Sequence, residues 1–439
     1  MKKKYVRWTL WTIASPFILF IILCILIYLP PIQNFLVDKA AVYASEATGM
    51  NISVGRISLS FPLNLVVTNV DAASPHNDTL LSVRRLQVNV QLLPLLKKQV
   101  EVDGISLQGA TVNSNDLIHG MKLNGTLGEL FISSHGVALD PETAIVNKVL
   151  LKDTDLSLCL NDTAAADTAA SDTAYWKIIL QDIDLQNVSF ALDMPLDSLS
   201  LAASLDNAIL RDGLIDLHKS AYSLQTFRIE NGRVRYDNGK PLAADSLSSG
   251  LDPSHIALTD IGVKLDSLYY GGRNMKAIIS QFVLKERSGV EIVSATGRMV
   301  SNDKVLRVPS LKLETRDSYL ELNAAMDWNA LDFKDEGLVS ARLMADIGKP
   351  DVVRFMGSMD EKFIRQYPSE PLRIRTGIDG DLNKLKLTTL TAELPGALGL
   401  FARGELTHLT DSLLRGGDIT LEAETKDLKF VSTLAEGIE

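Results

Sequence analysis

From Asn51 onward, apolar and polar residues alternate with a period of two. Ile57, Leu59, Phe61, Leu63, Leu65 and Val67 interleave with Ser58, Ser60, Pro62, Asn64, Val66 and Thr68. That is the pattern of a strand with one dry face and one wet face. Leu86, Val88, Val90 and Leu92 repeat it against Arg85, Gln87, Asn89 and Gln91, and Val100, Val102, Ile105 and Leu107 continue it. Pro62 cannot donate to a ladder, so the first of these strands is expected to be bent, broken or at an edge.

A longer repeat underlies the alternation. Apolar residues at relative positions 0, +3, +5 and +10 occur in five sets. They begin with Val102-Ile105-Leu107-Val112 and Val146-Val149-Leu151-Leu156, followed by Leu180-Ile183-Leu185-Phe190. Leu224-Phe227-Ile229-Val234 and Leu258-Ile261-Val263-Leu268 complete the series. The starts are separated by roughly 44, 34, 44 and 34 residues, which predicts stacked units of similar shape, each two short strands with a kink between them. Turns are expected at Asn231-Gly232, Asn238-Gly239, Gly271-Gly272 and Asp252-Pro253.

Two stretches depart from this rhythm near the N-terminus. Between Arg7 and Asp38 the chain carries no charge, and the run Trp11–Leu29 is about as long as a helix needs to cross a bilayer core. Lys2, Lys3, Lys4 and Arg7 precede it, so the N-terminus is expected in the cytoplasm and everything from Pro30 onward outside it. No small-residue cleavage site closes the apolar run, so the segment reads as a retained anchor rather than a secretory signal. Next, Ile32, Phe35, Leu36, Lys39, Val42, Tyr43 and Ala47 recur at helical spacing and Gly49 supplies a stop. A short amphipathic helix is expected there, its apolar face against the first strands or against the membrane. A further helix is expected from Pro350, with Val352, Phe355, Met356 and Met359 along one face.

Composition narrows the function. The net charge is −10 and the densest basic cluster flanks the anchor, which argues against nucleic-acid binding. Cys24 lies in the anchor and Cys159 alone in the exported part, so stability there must come from burial and backbone pairing. The six histidines, His76, His119, His135, His218, His255 and His408, lack metal-binding spacing and are expected mostly in solvent or turns. No nucleophile elbow, phosphate loop or dinucleotide fingerprint appears, and the carboxylates fall on polar positions or in turns. The chain therefore reads as a protein without catalytic activity, cofactor or metal. The half-apolar strands need either a second layer, as in a sandwich, or a curled sheet with a greasy interior, and the alternation alone fits both. A trough of the second kind could shelter acyl chains at about 0.8 kcal/mol per methylene.

The segment Ala47-Thr48-Gly49-Met50-Asn51-Ile52-Ser53-Val54-Gly55-Arg56-Ile57, with Val90-Gln91-Leu92-Leu93-Pro94-Leu95-Leu96 after it, resembles the start of AsmA-like proteins of the TamB family. There an N-terminal anchor precedes a stretch of the form a-TG-x-x-v-x-v-g-x-i and then a v-x-l-x-pLL strand. Downstream, Gly380–Leu387 and Phe401–Leu406 resemble that family's recurring strand pairs. The resemblance implies a mainly β chain: one transmembrane helix, then an elongated, taco-like antiparallel β-groove with a few short helices. It implies anchorage in a bacterial inner membrane and a periplasmic body that passes phospholipid toward the outer membrane, with an Omp85-class barrel as a further partner. The family's chains are longer and carry a C-terminal domain not contained here, so the sequence reads as a fragment or a short relative.

On this reading residues 1–31 are stub and anchor, 32–49 the amphipathic helix, 50–160 the N-terminal groove, 161–174 a low-complexity loop, and 175–439 a continuing repeat array. Leu65, Val88, Val90, Ile105, Leu107, Ile183 and Leu185 are the expected groove lining. The alternative is an assembly factor whose strand edges pair with outer-membrane β-barrel proteins.

Overall fold

The computed structural model describes residues 39–436, apart from 40, 44, 47, 61–63, 75–77, 92–101, 115–119, 139–141, 162–175, 240–249, 335 and 357–360, with 102, 135–138, 356, 361–362 and 433–436 described as backbone alone. The expected membrane anchor and its basic flank, Lys2, Lys3, Lys4 and Arg7, lie outside the described residues. Among the described residues no helix is long and apolar enough to cross a membrane. The protein is mainly β, with twenty antiparallel strands and a few short helices among the described residues. It divides into two compact units, Met1–Ala164 and Ala165–Glu439.

In the first unit, helical residues between 39 and 48 end at Gly49, whose φ of +69° suits a residue without Cβ and whose N–H bonds the Ser45 carbonyl at 2.9 Å. Six strands follow as an antiparallel meander: β1 (Asn51–Ser60), β2 (Asn64–Ala73), β3 (Thr79–Val90), β4 (Val102–Asn113), β5 (Met121–Ala138) and β6 (Thr143–Leu160). The alternation around Pro62 belongs to two strands and not one. Leu59 pairs with Leu65, and Pro62 itself lies outside the described residues.

One transverse line of irregularity crosses all six strands. Gly55 stands level with Asn69, Asn69 with Arg84, Arg84 with Gly109, Gly109 with Gly128, and Gly128 with Asp153, each skipped by the regular register. Asn69, Gly109 and Asp153 have φ of 53°, 63° and 50°. At this crease the apolar phase of each strand shifts by one residue. Because the side-chain period is two, the extra step, made through a left-handed residue on β2, β4 and β6, keeps the apolar positions on a common face.

The second unit is a longer meander. It runs through β7 (Lys177–Met194), β8 (Leu199–Asp216), the in-line pair β9 (Ala221–Leu224) and β10 (Thr226–Asp237), then β11 (His255–Gly271), β12 (Asn274–Glu286) and β13 (Glu291–Ser301). It continues through β14 (Val305–Thr315), β15 (Tyr319–Asp327), β16 (Leu338–Ile347), β17 (Leu372–Asp381), β18 (Lys384–Leu394), β19 (Leu398–Thr407) and β20 (Gly416–Thr425). Register shifts recur along its ladders, and each bends the sheet and strengthens its twist. Pro309 sits in the bulge between Val308 and Leu311, where a missing N–H costs the ladder nothing.

The sequence repeat has a local cause. The seventh residue after four of the five repeat starts has positive φ: Gly109 and Asp153, then Asn187 at 51° and Asn231 at 52°. Steps of 44 residues skip an intervening strand, β5 or β8, whereas steps of 34 lead directly to the next long strand. The fifth copy, beginning at Leu258, departs from the pattern, since its positive φ falls earlier, at Asp260.

Short helices gather at the strand ends of the second unit: α1 (Trp328–Leu331), α2 (Lys349–Met356), α3 (Glu361–Gln366) and α4 (Leu428–Glu436). Phe363, Tyr367 and Phe430 form an aromatic cluster with Leu394 and Ala397, and Val352 of α2 packs against it. Ring centroids there lie 5.6 to 5.9 Å apart, in edge-on or tilted arrangements that suit aromatic quadrupoles. The helix expected from Pro350 is present as α2, but Phe355 on its expected apolar face is exposed. At the opposite strand ends Ala330, Val339 and Leu382 make a second small cluster.

Candidate apolar binding face

Strand register turns the one-dimensional alternation into rows. In the first unit Leu59 pairs with Leu65, Leu65 with Val88, Val88 with Ile105, Ile105 with Ile132, and Ile132 with Val149. Two residues along each strand lies a parallel row, Ile57-Val67-Leu86-Leu107-Leu130-Leu151. Twelve aliphatic side chains thus share one face without a polar interruption. The other face carries the row Arg56-Thr68-Arg85-Gln108-Glu129-Lys152. This separation is what β-branched and leucine side chains on a half-wet sheet produce.

The apolar face remains partly open. Leu65, Val88, Leu107, Ile132 and Val149 are half-buried, and Ile105 is 37% exposed. Among the described residues of this unit the fully buried apolar side chains are Ala72, Leu80 and Val83. A closed sandwich core would bury the aliphatic rows themselves.

The second unit repeats the arrangement. One row runs Leu185-Ala208-Ile229-Val263-Phe282-Ala295 and continues through Leu313, Leu320, Ala345, Ile374, Ala392 and Leu400 to Ala423. A second begins Ile183-Leu210-Phe227-Leu265-Ile279 and ends Leu390-Ala402-Leu421. Small and large residues mix along the first row. Ala208, Ala295 and Ala345 are buried between larger neighbours on adjacent strands, the complementarity of size that close packing needs.

Of the residues expected to line a groove, the structure brings Leu65, Val88 and Ile105 into one row and places Leu107 in the adjacent row. Ile183 and Leu185 occupy the two corresponding rows of the second unit. Val90 is the last residue of β3, opposite Val102 and beyond a register shift at Asn89, so it stands outside the continuous rows. Sequence reasoning missed Ile132, although its alternation with neighbouring residues on β5 follows the same period.

Polar chemistry lies elsewhere. Asp351 of α2 has 1% of its surface exposed. It accepts hydrogen bonds from the hydroxyls of Thr315 and Ser318 and from Arg354 Nη1 at 2.9 Å, which also bonds Asp317 at 2.9 Å. Burial opposes its charge, but these donors prevail and hold the carboxyl below the usual range. The node fastens α2 to the β14–β15 turn. His255 is buried, with Nδ1 2.7 Å from Asp252 Oδ2. The His255 hydrogen bond is the chief cause that holds the Asp252 carboxyl low. His218 and His408 are exposed. Among the described residues, no group of three or more His, Cys, Asp or Glu side chains is arranged to hold a metal.

No protein-family model matches the chain, and no curated protein matches it significantly.

Proposed function

We propose that this protein is a membrane-anchored lipid-transfer conduit of the AsmA-like, TamB kind, without catalytic activity or cofactor. It stands in a bacterial inner membrane with its N-terminus cytoplasmic and its β units periplasmic, and it shields phospholipid acyl chains on the apolar face. The observation that carries the reading is the pair of unbroken aliphatic rows left half-exposed on β1–β6. Such a face rewards each sheltered methylene by about 0.8 kcal/mol, and because hydrophobic attraction is non-directional it holds a chain without fixing its position. Val42 and Tyr43, 54% and 75% exposed just before the sheet, suit contact with the membrane at the exit of the anchor.

The test is a photo-reactive amino acid placed at Val88 or Ile105 on the apolar face, and at Gln87 or Ser106 on the other, in the full chain in cells. Phospholipid adducts from the first pair and not from the second are expected. Adducts from neither pair, or from the second alone, overturn the reading. An assembly factor that pairs with outer-membrane β-barrel proteins is the second reading; adducts to such proteins in place of phospholipid would favour it.

A further inference from the structure

In the second unit the ends of β8, β11, β13 and β15 lie beside the starts of β9, β12, β14 and β16, as Asp216 opposite Ala221, Gly271 opposite Asn274 and Val305 opposite Asp327 record. Bulky apolar side chains stand out along this line of strand ends. Tyr222 and Tyr270 stack with ring centroids 6.2 Å apart, and both are exposed, as are Tyr269 and Leu217 nearby in the sequence. The tyrosine pair belongs to the cross-strand row Ile215-Tyr222-Tyr270-Met275.

The β15–β16 connection, which begins with α1, exposes Leu331 and Phe333, the latter by 56%. Phe333 has a φ of 58°, a region that a bulky side chain adopts only at a cost. Its surroundings hold it there. Trp328 Nε1 donates to the Asn302 carbonyl at 2.6 Å, and the Phe333 N–H bonds the Ala330 carbonyl at 3.0 Å. Arg273, in the β11–β12 turn that follows Tyr270, lies 5.3 Å from the Trp328 ring centroid and 3.0 Å from Asp332 Oδ2. Gly337 closes the connection, since a Cβ there would overlap the Ala330 backbone. Strain retained to keep an aromatic ring in water points to a contact surface.

β16 then opens with Leu338, 57% exposed, on the wall of a cleft of about 300 Å³. The row Arg307-Ala325-Ser340-Asp379 crosses this cleft, and Asp327 lines it too. Arg307 and Asp379 are exposed, and among the described residues neither has a charged partner. Three strand spacings set their backbones about 14 Å apart, with small side chains between them. The cleft therefore offers a guanidinium at one end and a carboxylate at the other. The turns at 217–220, 271–273, 302–304 and 328–337 carry as many acids as lysines and arginines, although the whole chain has a net charge of −10.

We propose that these strand ends form a membrane-contact site whose occupant is a bilayer surface of zwitterionic phospholipid. Leu331, Phe333 and the tyrosine pair enter the interfacial layer, the depth that aromatic rings with a polar tip and short apolar projections favour. Arg307 meets a headgroup phosphate through charge-assisted hydrogen bonds, and Asp379 meets the headgroup ammonium. The even balance of charge on the turns matches such a surface. The contact does not depend on what occupies the apolar rows of the sheet, so it stands even if no acyl chain is sheltered there.

The test reads depth in the full chain, reconstituted with vesicles of phosphatidylcholine and phosphatidylethanolamine in equal parts. An environment-sensitive fluorescent amino acid replaces Leu331 or, as reference, the exposed Leu196 in the β7–β8 connection at the opposite strand ends. A fraction of the lipid carries a nitroxide near its headgroup. Quenching at Leu331 is expected to be at least threefold that at Leu196. Phe333→Gly adopts the same φ without strain, so this variant is expected to melt no lower than the parent yet to lose at least threefold of the quenching at Leu331. Arg307→Glu, at an exposed and unpaired position, is expected to fold and to lose a similar factor. Equal quenching at the two reporter positions, or quenching undiminished in both folded variants, overturns the proposal. A photo-reactive residue at Leu331 that captures protein in place of phospholipid in cells overturns the proposed occupant.

Discussion

Asp153 on β6 stands level with Gly128 on β5, and a Cβ added to Gly128 would lie 2.7 Å from the Asp153 Cβ and 2.9 Å from two carbonyl oxygens of the same strand. The crease of the first unit repeats this bargain of shapes. Gly55 faces Asn69, with 3.0 Å to the Asn69 Cβ, and Gly109 faces Arg84, with 3.2 Å to the Arg84 Cβ. In these three strand pairs a glycine makes room for one larger residue.

Gly128→Ala is therefore expected to destabilise the protein by about 2 kcal/mol, because backbone and not a flexible side chain must yield. The comparison is Gly399→Ala, where the new methyl enters open space and the change is expected within about 0.5 kcal/mol. Urea unfolding of both variants checks the difference. Equal midpoints would remove the steric account of the crease.

Asn231 tests the other half of the crease mechanism, the left-handed backbone. Its φ is 52°, and its side-chain amide donates to Asp206. Asn231→Gly loses the hydrogen bond but keeps the conformation, whereas Asn231→Val loses both. A β-branched residue pays about 1–2 kcal/mol in this region. The valine variant should thus unfold at lower urea than the glycine variant, by an amount equal to that strain.

Much of this fold is written locally. The odd step from Leu107 to Val112 already records the crease, because a strict period of two would send Val112 to the wrong face. Likewise Leu65, Val88 and Ile105, chosen from three separate strands by alternation, meet in one row because hydrophobic phase sets register wherever one face avoids water. Pro62 signals an interruption, yet the sequence leaves open whether it bends one strand or separates two. Longer-range features left no local trace. Asp351 bonds Ser318 and Thr315 across 33 and 36 residues, and nothing in Lys-Pro-Asp-Val marks its carboxylate for burial. Val90 shows the limit of alternation alone, since the bulge beside it depends on its partner Val102.

The Asp351 node makes a pH prediction. Its folded-state pKa lies below the ordinary carboxylate value near 3.9. The stabilisation is fully present above that value and is lost as the pH falls through the lower folded-state pKa. Asp351→Asn keeps the shape but cannot ionise. It should cost about 2 kcal/mol at neutral pH, where Arg354 loses its buried partner, and progressively less below about pH 4. Thermal melts of both proteins across that range check the convergence. Parallel curves would show that ionisation of Asp351 does not stabilise α2.

Ile105 and Ala208 separate an open apolar face from a packed one. Both lie in aliphatic rows, but Ile105 is 37% exposed and Ala208 is 4% exposed between Leu185 and Ile229. An arginine at Ile105 can turn its guanidinium toward water and lay its stem along Val88 and Ile132. Ile105→Arg should therefore lower stability by about 1 kcal/mol or less while reducing phospholipid crosslinking from Val88 at least fivefold, since it places a charge across the acyl path. At Ala208 the same side chain has no exit, and overpacking joins the cost of burying charge. Ala208→Arg should fail to fold, as read by circular dichroism and expression level. If Ile105→Arg also unfolds the protein, the first face is a closed core; if it folds and Val88 captures lipid undiminished, the acyl path does not cross Ile105.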